Sequence, residues 1–391
     1  MARIEGRPAL TELDAPITEE EVIEALNGLK LGKAADAMGV SAELLRGRGE
    51  LAGQGDDRVP SVARVLTPIL QGFFTSGLPP QLSTATLMPL YKGKGDTNSM
   101  DNYRGIALMS IVAKLYASIL TSRLTKTLEQ HGLRSDLQFG FRPKRSTVDA
   151  AFVLQTIADK YAAGEARPVY VAFVDFAKAF DMMSRDRLWA RLEDLGVRGA
   201  FLRAVQLYYG SVLFQVNTGE QGLSEAFEAA SGVKQGCPLS PALFGCFIEG
   251  LAETLAQEAA ADPDAPQLGQ QHVPAVLFAD DTTLISLSKR GLQRLLDRLA
   301  AFCSAQGMKV NEAKTKITVL RKGDKAPKDA SQLRYNGTPL ALVEEFKFLG
   351  IPLHGDLRRG PDYTLETLAK SGCKTSCTFW CVFSVSMFLG C

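Results

Sequence analysis

The chain is poor in the residues that build small metal sites and disulfide frameworks. Of 391 residues only three are histidine (His131, His272, His354) and seven are cysteine. Cys237, Cys246, Cys303, Cys373, Cys377, Cys381 and Cys391 show no paired framework and no C-x-x-C spacing, and no histidine lies near the 373–381 group. A zinc site is therefore not expected. With no signal peptide ahead of them, the thiols point to a reducing, intracellular compartment. The apolar stretch from Phe379 to Gly390 is too short to span a bilayer, so no membrane partner is expected. Net charge is also scarce. At +1 it argues against a protein that grips nucleic acid over its entire surface.

What is present is an ordinary globular composition, 46% hydrophobic and 22% charged, with length for two or three structural units. Charge is unevenly spread. Residues 81–145 hold ten Lys or Arg against four Asp or Glu, an excess of the size expected for a phosphate-contacting patch. There is no internal repeat and no low-complexity segment.

Local patterns predict a mixture of elements. Thr18-Glu19-Glu20-Glu21 reads as a capping box ahead of Val22, Ile23, Leu26 and Leu29 at helical spacing, with Gly28 inside the helix and Gly32 ending it. Residues 47–60 read as a loop, and Thr84 to Tyr91 as a strand leading into Lys92-Gly93-Lys94-Gly95-Asp96. A helix is expected from about Ser110 to Gln130. The apolar run 169–174 has the character of a central strand and ends at Asp175. Ser240 and Pro241 predict an N-cap and first helical residue, and a stripe from Leu292 to Cys303 predicts a helix stopped by Gly307. Strands mixed with helices that pack on one side make this an α+β chain.

The chemistry concentrates in VLFADDTTLI (276–285), where Asp280 and Asp281 stand side by side between two strand-like segments. Read as a two-residue acidic turn at a hairpin tip, it presents two mutually repelling carboxylates at an exposed edge. A divalent cation resolves that repulsion, and Mg²⁺ typically uses one or two carboxylates plus substrate phosphates. Asp175 is the third acid, fixed by the end of a buried strand. If the strands are neighbours, three carboxylates at one sheet edge can hold two Mg²⁺ ions. A plain polar turn and an isolated strand-end aspartate are the ordinary alternatives.

Three segments, FVDFAKAFD (173–181), SGVKQGCPLSPALF (231–244) and LFADD (277–281), resemble in order the palm motifs of reverse transcriptases. The resemblance is to the enzymes of non-LTR (LINE-type) retrotransposons. It extends through NYRGIALMSIVAKLYASILTSRL (102–124), QFGFRPKRSTVDA (138–150), GMKVNEAKTKI (307–317) and FKFLGIPL (346–353). The segment 17–45 is similar to what precedes the fingers in that family. The resemblance implies a right-hand polymerase with fingers and palm, an antiparallel palm sheet backed by helices, and RNA-directed DNA polymerase activity. On it, residues 1–80 form an N-terminal helical extension and 81–353 the reverse transcriptase domain. Residues 354–391 are then an atypical tail in which no thumb is recognisable. An inactive remnant that at most binds nucleic acid is the alternative function.

The resemblance also implies roles. Asp175 and Asp280 match the principal metal ligands, Asp281 the second acid of the catalytic hairpin, and the carbonyl of Phe176 a further ligand. Phe180 matches the aromatic that packs beneath the nucleotide sugar and leaves no space for a 2′-hydroxyl. Gln235 and Gly236 match the loop that contacts the incoming nucleotide, Arg104 the fingers arginine on the triphosphate, and Lys92 or Lys94 the lysine at the γ-phosphate. Lys314 or Lys316 matches the proton source for pyrophosphate. Two Mg²⁺ ions, for which Mn²⁺ can substitute, are the implied cofactor. RNA template, DNA primer and dNTPs are the implied partners, and the nucleus the implied location. Gly105 departs from the family's usual Pro, and Ala107 from its common Ser. The first is expected to loosen the loop that bears Arg104.

Overall fold

The computed structural model describes residues 7–46, 59–93, 95–210, 213–219, 222–229, 231–323 and 327–358. Lys94, most of the expected 47–60 loop, and the tail beyond 358 with its four cysteines lie outside the described residues. Helices and sheets are both present, so the α+β expectation holds. The described chain forms two compact units that interleave in sequence. One holds residues up to Leu133 together with Met183–Phe247, the other Arg134–Met182 together with residues from Ile248 onward.

The first unit begins with the expected capping box. Thr18 accepts from the Glu21 amide, Glu21 returns a bond to the Thr18 amide, and the helix runs Glu19–Asn27. It stops earlier than its sequence pattern suggests, because Gly28 is the C-cap rather than an interior residue. The Glu21 carboxylate also meets Arg123, whose guanidinium bonds the carbonyls of Ala15 and Pro16 as well. Val59 and Pro60, expected in a loop, instead open the helix Val59–Ser76, since Pro is harmless in a first turn. Helix Ile111–Gln130 has no side-chain cap from Ser110. Asp36 supplies it from 75 residues away, accepting the Ile111 amide at 2.9 Å through one carboxylate oxygen. The other oxygen holds the amides of Met38 and Val40.

The sheet of this unit runs Tyr103–Leu108, Ala85–Tyr91, Leu213–Val216, Phe227–Glu228. The bond from the Lys92 amide to the Asn102 carbonyl sets the phase of the first pair. Leu90 and Arg104 then exchange bonds, while Pro89 and Gly105 oppose each other without any. Pro89 therefore costs the ladder nothing. Arg104 lies in a paired strand and not in a loop, so Gly105 does not loosen its support.

The second unit is organised on a five-stranded sheet. Its order is Ala341–Leu342, Lys316–Leu320, Val169–Val174, Asp281–Ser286, Ala275–Phe278. Val169–Val174 is central and wholly buried, as its unbroken apolar run requires. One face carries Ser286, paired with Tyr170, against Gly291 of helix Lys289–Gln306. Gly307 ends that helix in the left-handed conformation (φ 69°), as expected. The other face carries Phe173, whose ring stacks on Phe346 at 4.0 Å and 6°. The hairpin Glu345–Phe348 and Ile351–His354 thus packs on the Phe173 face.

Helix Leu239–Ala260 is apolar and long enough to cross a membrane, yet most of it is buried inside the protein. It begins at Leu239, one residue before the expected cap. Ser240 is therefore inside the helix, and its hydroxyl donates to the Lys234 carbonyl instead.

Candidate active site

Asp175 follows the last ladder residue of the central strand. Val174 pairs with Thr282 and Phe173 with Thr283, so the same register continued by one residue sets Asp175 opposite Asp281. On its other side Lys316 pairs with Phe173, and beyond that pair residues 312–314 form a turn. The Lys314 Nζ lies 3.8 Å from the Asp175 Oδ2. Side chains alternate along a strand, so Asp175 shares the face of Phe173 and hence of the Phe346 hairpin. The backbone beyond the strand is held as well. The Asp175 amide donates to the buried Thr315 hydroxyl, its carbonyl accepts from Asn311, and the Ala177 amide donates to the Lys309 carbonyl. That bridge does not use the Phe176 carbonyl.

The acidic hairpin differs from its sequence reading in one respect. Phe278 pairs with Asp281, so the two turn residues are Ala279 and Asp280, and Asp281 is already in the strand. Ala279 has φ 59°, the positive value that the first position of a II′ turn demands. The tip carboxylate and the strand carboxylate are therefore held by different constraints. They remain close enough to interact with Asp175. The Asp281 carboxyl is pushed up to about 6, first by desolvation from surrounding protein and then by the charges of Asp280 and Asp175. It nevertheless keeps contact with solvent.

Among the described residues no three His, Cys, Asp or Glu side chains form a ready-made metal cluster. The donor set still suits a hard divalent ion that shares its shell with water and phosphate. Such an ion needs only one or two carboxylates, and Asp281 feels the charges of both Asp280 and Asp175. Phe180 follows in a short helix, Ala179–Met182, and is half-buried rather than sealed in the core.

The remaining expected residues belong to the first unit. Gly236 has φ 102°, and a methyl there would sit 3.1 Å from the Ala107 carbonyl oxygen. The Ala107 amide donates to the Gln235 carbonyl at 2.9 Å. The Gln235–Gly236 loop is thus docked by its backbone onto the strand that carries Arg104. Arg104 and Lys92 are exposed. Beneath the loop Lys234 is buried, its ammonium 4.4 Å from the Tyr208 ring centre. Desolvation lowers the Lys234 ammonium to about 8. Arg185 completes the support, donating to the Gly232 and Tyr209 carbonyls.

The structure corrects the reading of residues 81–145 as one phosphate-contacting patch. Arg123 is bound to Glu21, and Arg134 is buried against Glu249. Arg142 donates to the Ser135 carbonyl, and Arg145 to Asp136 and the Gln138 carbonyl. These guanidiniums hold the chain together, and counting charges along a sequence cannot separate them from exposed ones. Lys316 is similarly engaged, on the Ala313 carbonyl.

The chain is similar to several known proteins. The reverse transcriptase (RNA-dependent DNA polymerase) family profile matches residues 92–353. The Pol polyprotein of the type-2 retrotransposable element R2DM of Drosophila melanogaster is 32% identical over 257 residues, 64% of this chain and 23% of that protein. A probable RNA-directed DNA polymerase from transposon BS of the same organism is 28% identical over 363 residues, covering 90% and 37%. Among solved structures, apo telomerase from Candida tropicalis aligns over 81% of this chain and 64% of its own at 12% identity, with a TM-score of 0.49.

This chain belongs to the reverse transcriptase family, whose members depend on divalent metal and act on nucleic acid. Its curated relatives come from non-LTR retrotransposons, as the motifs led one to expect, and the chain spans well under half the length of the two named.

Proposed function

We propose that this chain catalyses RNA-directed DNA synthesis, adding dNTPs to a primer 3′-hydroxyl on an RNA template. The observation that carries the reading is the row across the central sheet. Continued register sets Asp175 opposite Asp281, Asp280 lies at the adjoining tip, and the Asp281 carboxyl is raised first by desolvation and then by its two acidic neighbours.

Asp175 and Asp280, with Asp281 and the Phe176 carbonyl, would hold two Mg²⁺ ions, with Mn²⁺ as a substitute. Bound there, the ions would lower the pKa of the attacking hydroxyl and neutralise charge on the leaving pyrophosphate. Lys314, beside Asp175, is placed to hold a proton near the departing group. The Phe346 hairpin, packed on the aspartate face through Phe173, is suited to support the primer end. Phe180 offers a flat apolar surface that would exclude a 2′-hydroxyl. Arg104 and Lys92 offer exposed charge for the triphosphate, with the Gln235–Gly236 loop for the incoming nucleotide.

The test is primer extension by the purified chain on an RNA template with dNTPs and Mg²⁺, against Asp280→Ala. Metal-dependent extension lost in the variant supports the reading. No extension at any salt or metal concentration overturns it in favour of a remnant that only binds nucleic acid.

A further inference from the structure

The segment 138–150 is a motif to which the proposed chemistry assigns no task, yet its first residues touch the acidic turn. Leu137 and Phe139 clasp the hairpin strand from outside. The Phe139 amide donates to the Leu277 carbonyl, and the Leu277 amide to the Leu137 carbonyl, at 2.7 and 2.8 Å. Between them Gln138 is completely buried. Its Oε1 accepts two backbone amides, Gly140 at 2.7 Å and Ala279 at 3.2 Å. Its Nε2 has no hydrogen-bond partner among the described residues. A buried amide that leaves its donor unpaired costs about 1–3 kcal/mol, so the site demands the acceptor.

What the acceptor holds is the strained residue. Ala279 has φ 59°, a conformation that glycine adopts freely and alanine does not. Gly140 closes the arrangement from the other side. A methyl on it would collide with the Ala279 nitrogen and lie within 2.9 Å of the Phe278 carbonyl carbon. No side chain fits there without displacing the turn.

We propose that Gln138 is a positioning residue, its Oε1 holding Ala279 at positive φ so that Asp280 is presented at the tip, with Gly140 as the close-packed floor. For its catalytic consequence the proposal rests on the polymerase reading above. The geometry itself can be tested without it.

The first measurement is amide hydrogen exchange of the peptide spanning 276–282 in the full chain. Gln138→Leu removes the acceptor and should speed exchange there by about tenfold or more. Gln138→Glu keeps an oxygen in place and should preserve protection. Unchanged exchange in Gln138→Leu overturns the proposal. If that variant does not fold, lost protection in Gln138→Glu overturns it.

The second measurement is primer extension. Gln138→Leu should lower kcat by about 10–100-fold, the cost of misplacing a reacting group by about 1 Å, with dNTP KM nearly unchanged. Adding Ala279→Gly should restore much of kcat, because glycine holds positive φ without help. A merely structural defect would not be repaired in this way. A double variant no better than Gln138→Leu, or an unchanged kcat in the single variant, overturns the positioning role. If the wild-type chain itself does not extend a primer, the polymerase reading fails, and hydrogen exchange still decides whether Gln138 holds the turn.

Discussion

The two groups of expected site residues are built on opposite principles. The acids of the second unit are short side chains whose positions follow from backbone register: Asp175 one residue past the ladder, Asp281 opposite it, Asp280 on a two-residue turn. Little freedom is left to them. In the first unit the backbone is fixed by the Ala107–Gln235 bond and the close approach of Gly236 to Ala107. The cations themselves, Arg104 and Lys92, are exposed and long. The carboxylates are thus ordered in advance by the backbone, whereas a ligand that engaged the exposed Arg104 would bear about 0.5–1.5 kcal/mol for immobilising it.

This contrast is broken most directly at the acids. Asp175→Ala and Asp280→Ala should each reduce primer extension by about 10³-fold or more, because each removes charge stabilisation worth several kcal/mol. Circular dichroism and melting temperature should be unchanged or slightly improved, since either substitution relieves repulsion among the carboxylates. Near-normal extension by Asp280→Ala would refute the assignment.

Phe180 gives the next largest effect. Phe180→Val should lower the ratio of kcat/KM for dNTP over rNTP by about 10-fold or more, by opening space for a 2′-hydroxyl. Its half-buried ring makes the experiment practical, because truncation leaves the core largely intact. An unchanged ratio would make the ring a packing element.

Arg104→Ala sharpens the comparison from the other side. A side chain ordered only by its ligand should affect binding more than turnover, so dNTP KM should rise about 10-fold with a smaller change in kcat. A large loss of kcat with normal KM would show that the cations are positioned as tightly as the acids.

The central strand, the capping box, the Gly307 stop and the order of the motifs were all legible in the sequence. Each depends on neighbours close in the chain or on a long unbroken pattern. The misses share a physical cause, which is dependence on distant partners. Asp36 capping a helix at Ile111, Gln138 bracing Ala279, and Arg134 spent on Glu249 are contacts that no local spacing announces. The turn itself was displaced by one residue because Asp-Asp favours a turn on composition, whereas pairing of Phe278 with Asp281 places it at Ala279-Asp280.

Lys234 yields the smallest effect on activity and a distinctive one on stability. It is buried beneath the Gln235–Gly236 loop, and desolvation lowers its ammonium to about 8, with Cys237 opposing and Arg185 reinforcing the shift. The folded state therefore binds this proton less tightly than the unfolded chain, whose lysine keeps its ordinary value near 10.5. Below pH 8 both states are charged, and the folded state bears the full desolvation penalty. Between about 8 and 10.5 the unfolded state holds more protons, so this contribution to stability rises with pH. The rings of Tyr208 and Tyr209 offset part of the penalty by attracting the cation. Lys234→Met should accordingly stabilise the protein by about 1 kcal/mol at pH 7, and the gain should fade as pH approaches 10. Urea unfolding of both chains at pH 7 and pH 9.5 measures it. A variant less stable than wild type at pH 7 would show that the aromatic cage outweighs desolvation, and that the ammonium itself holds the Gln235–Gly236 loop in place.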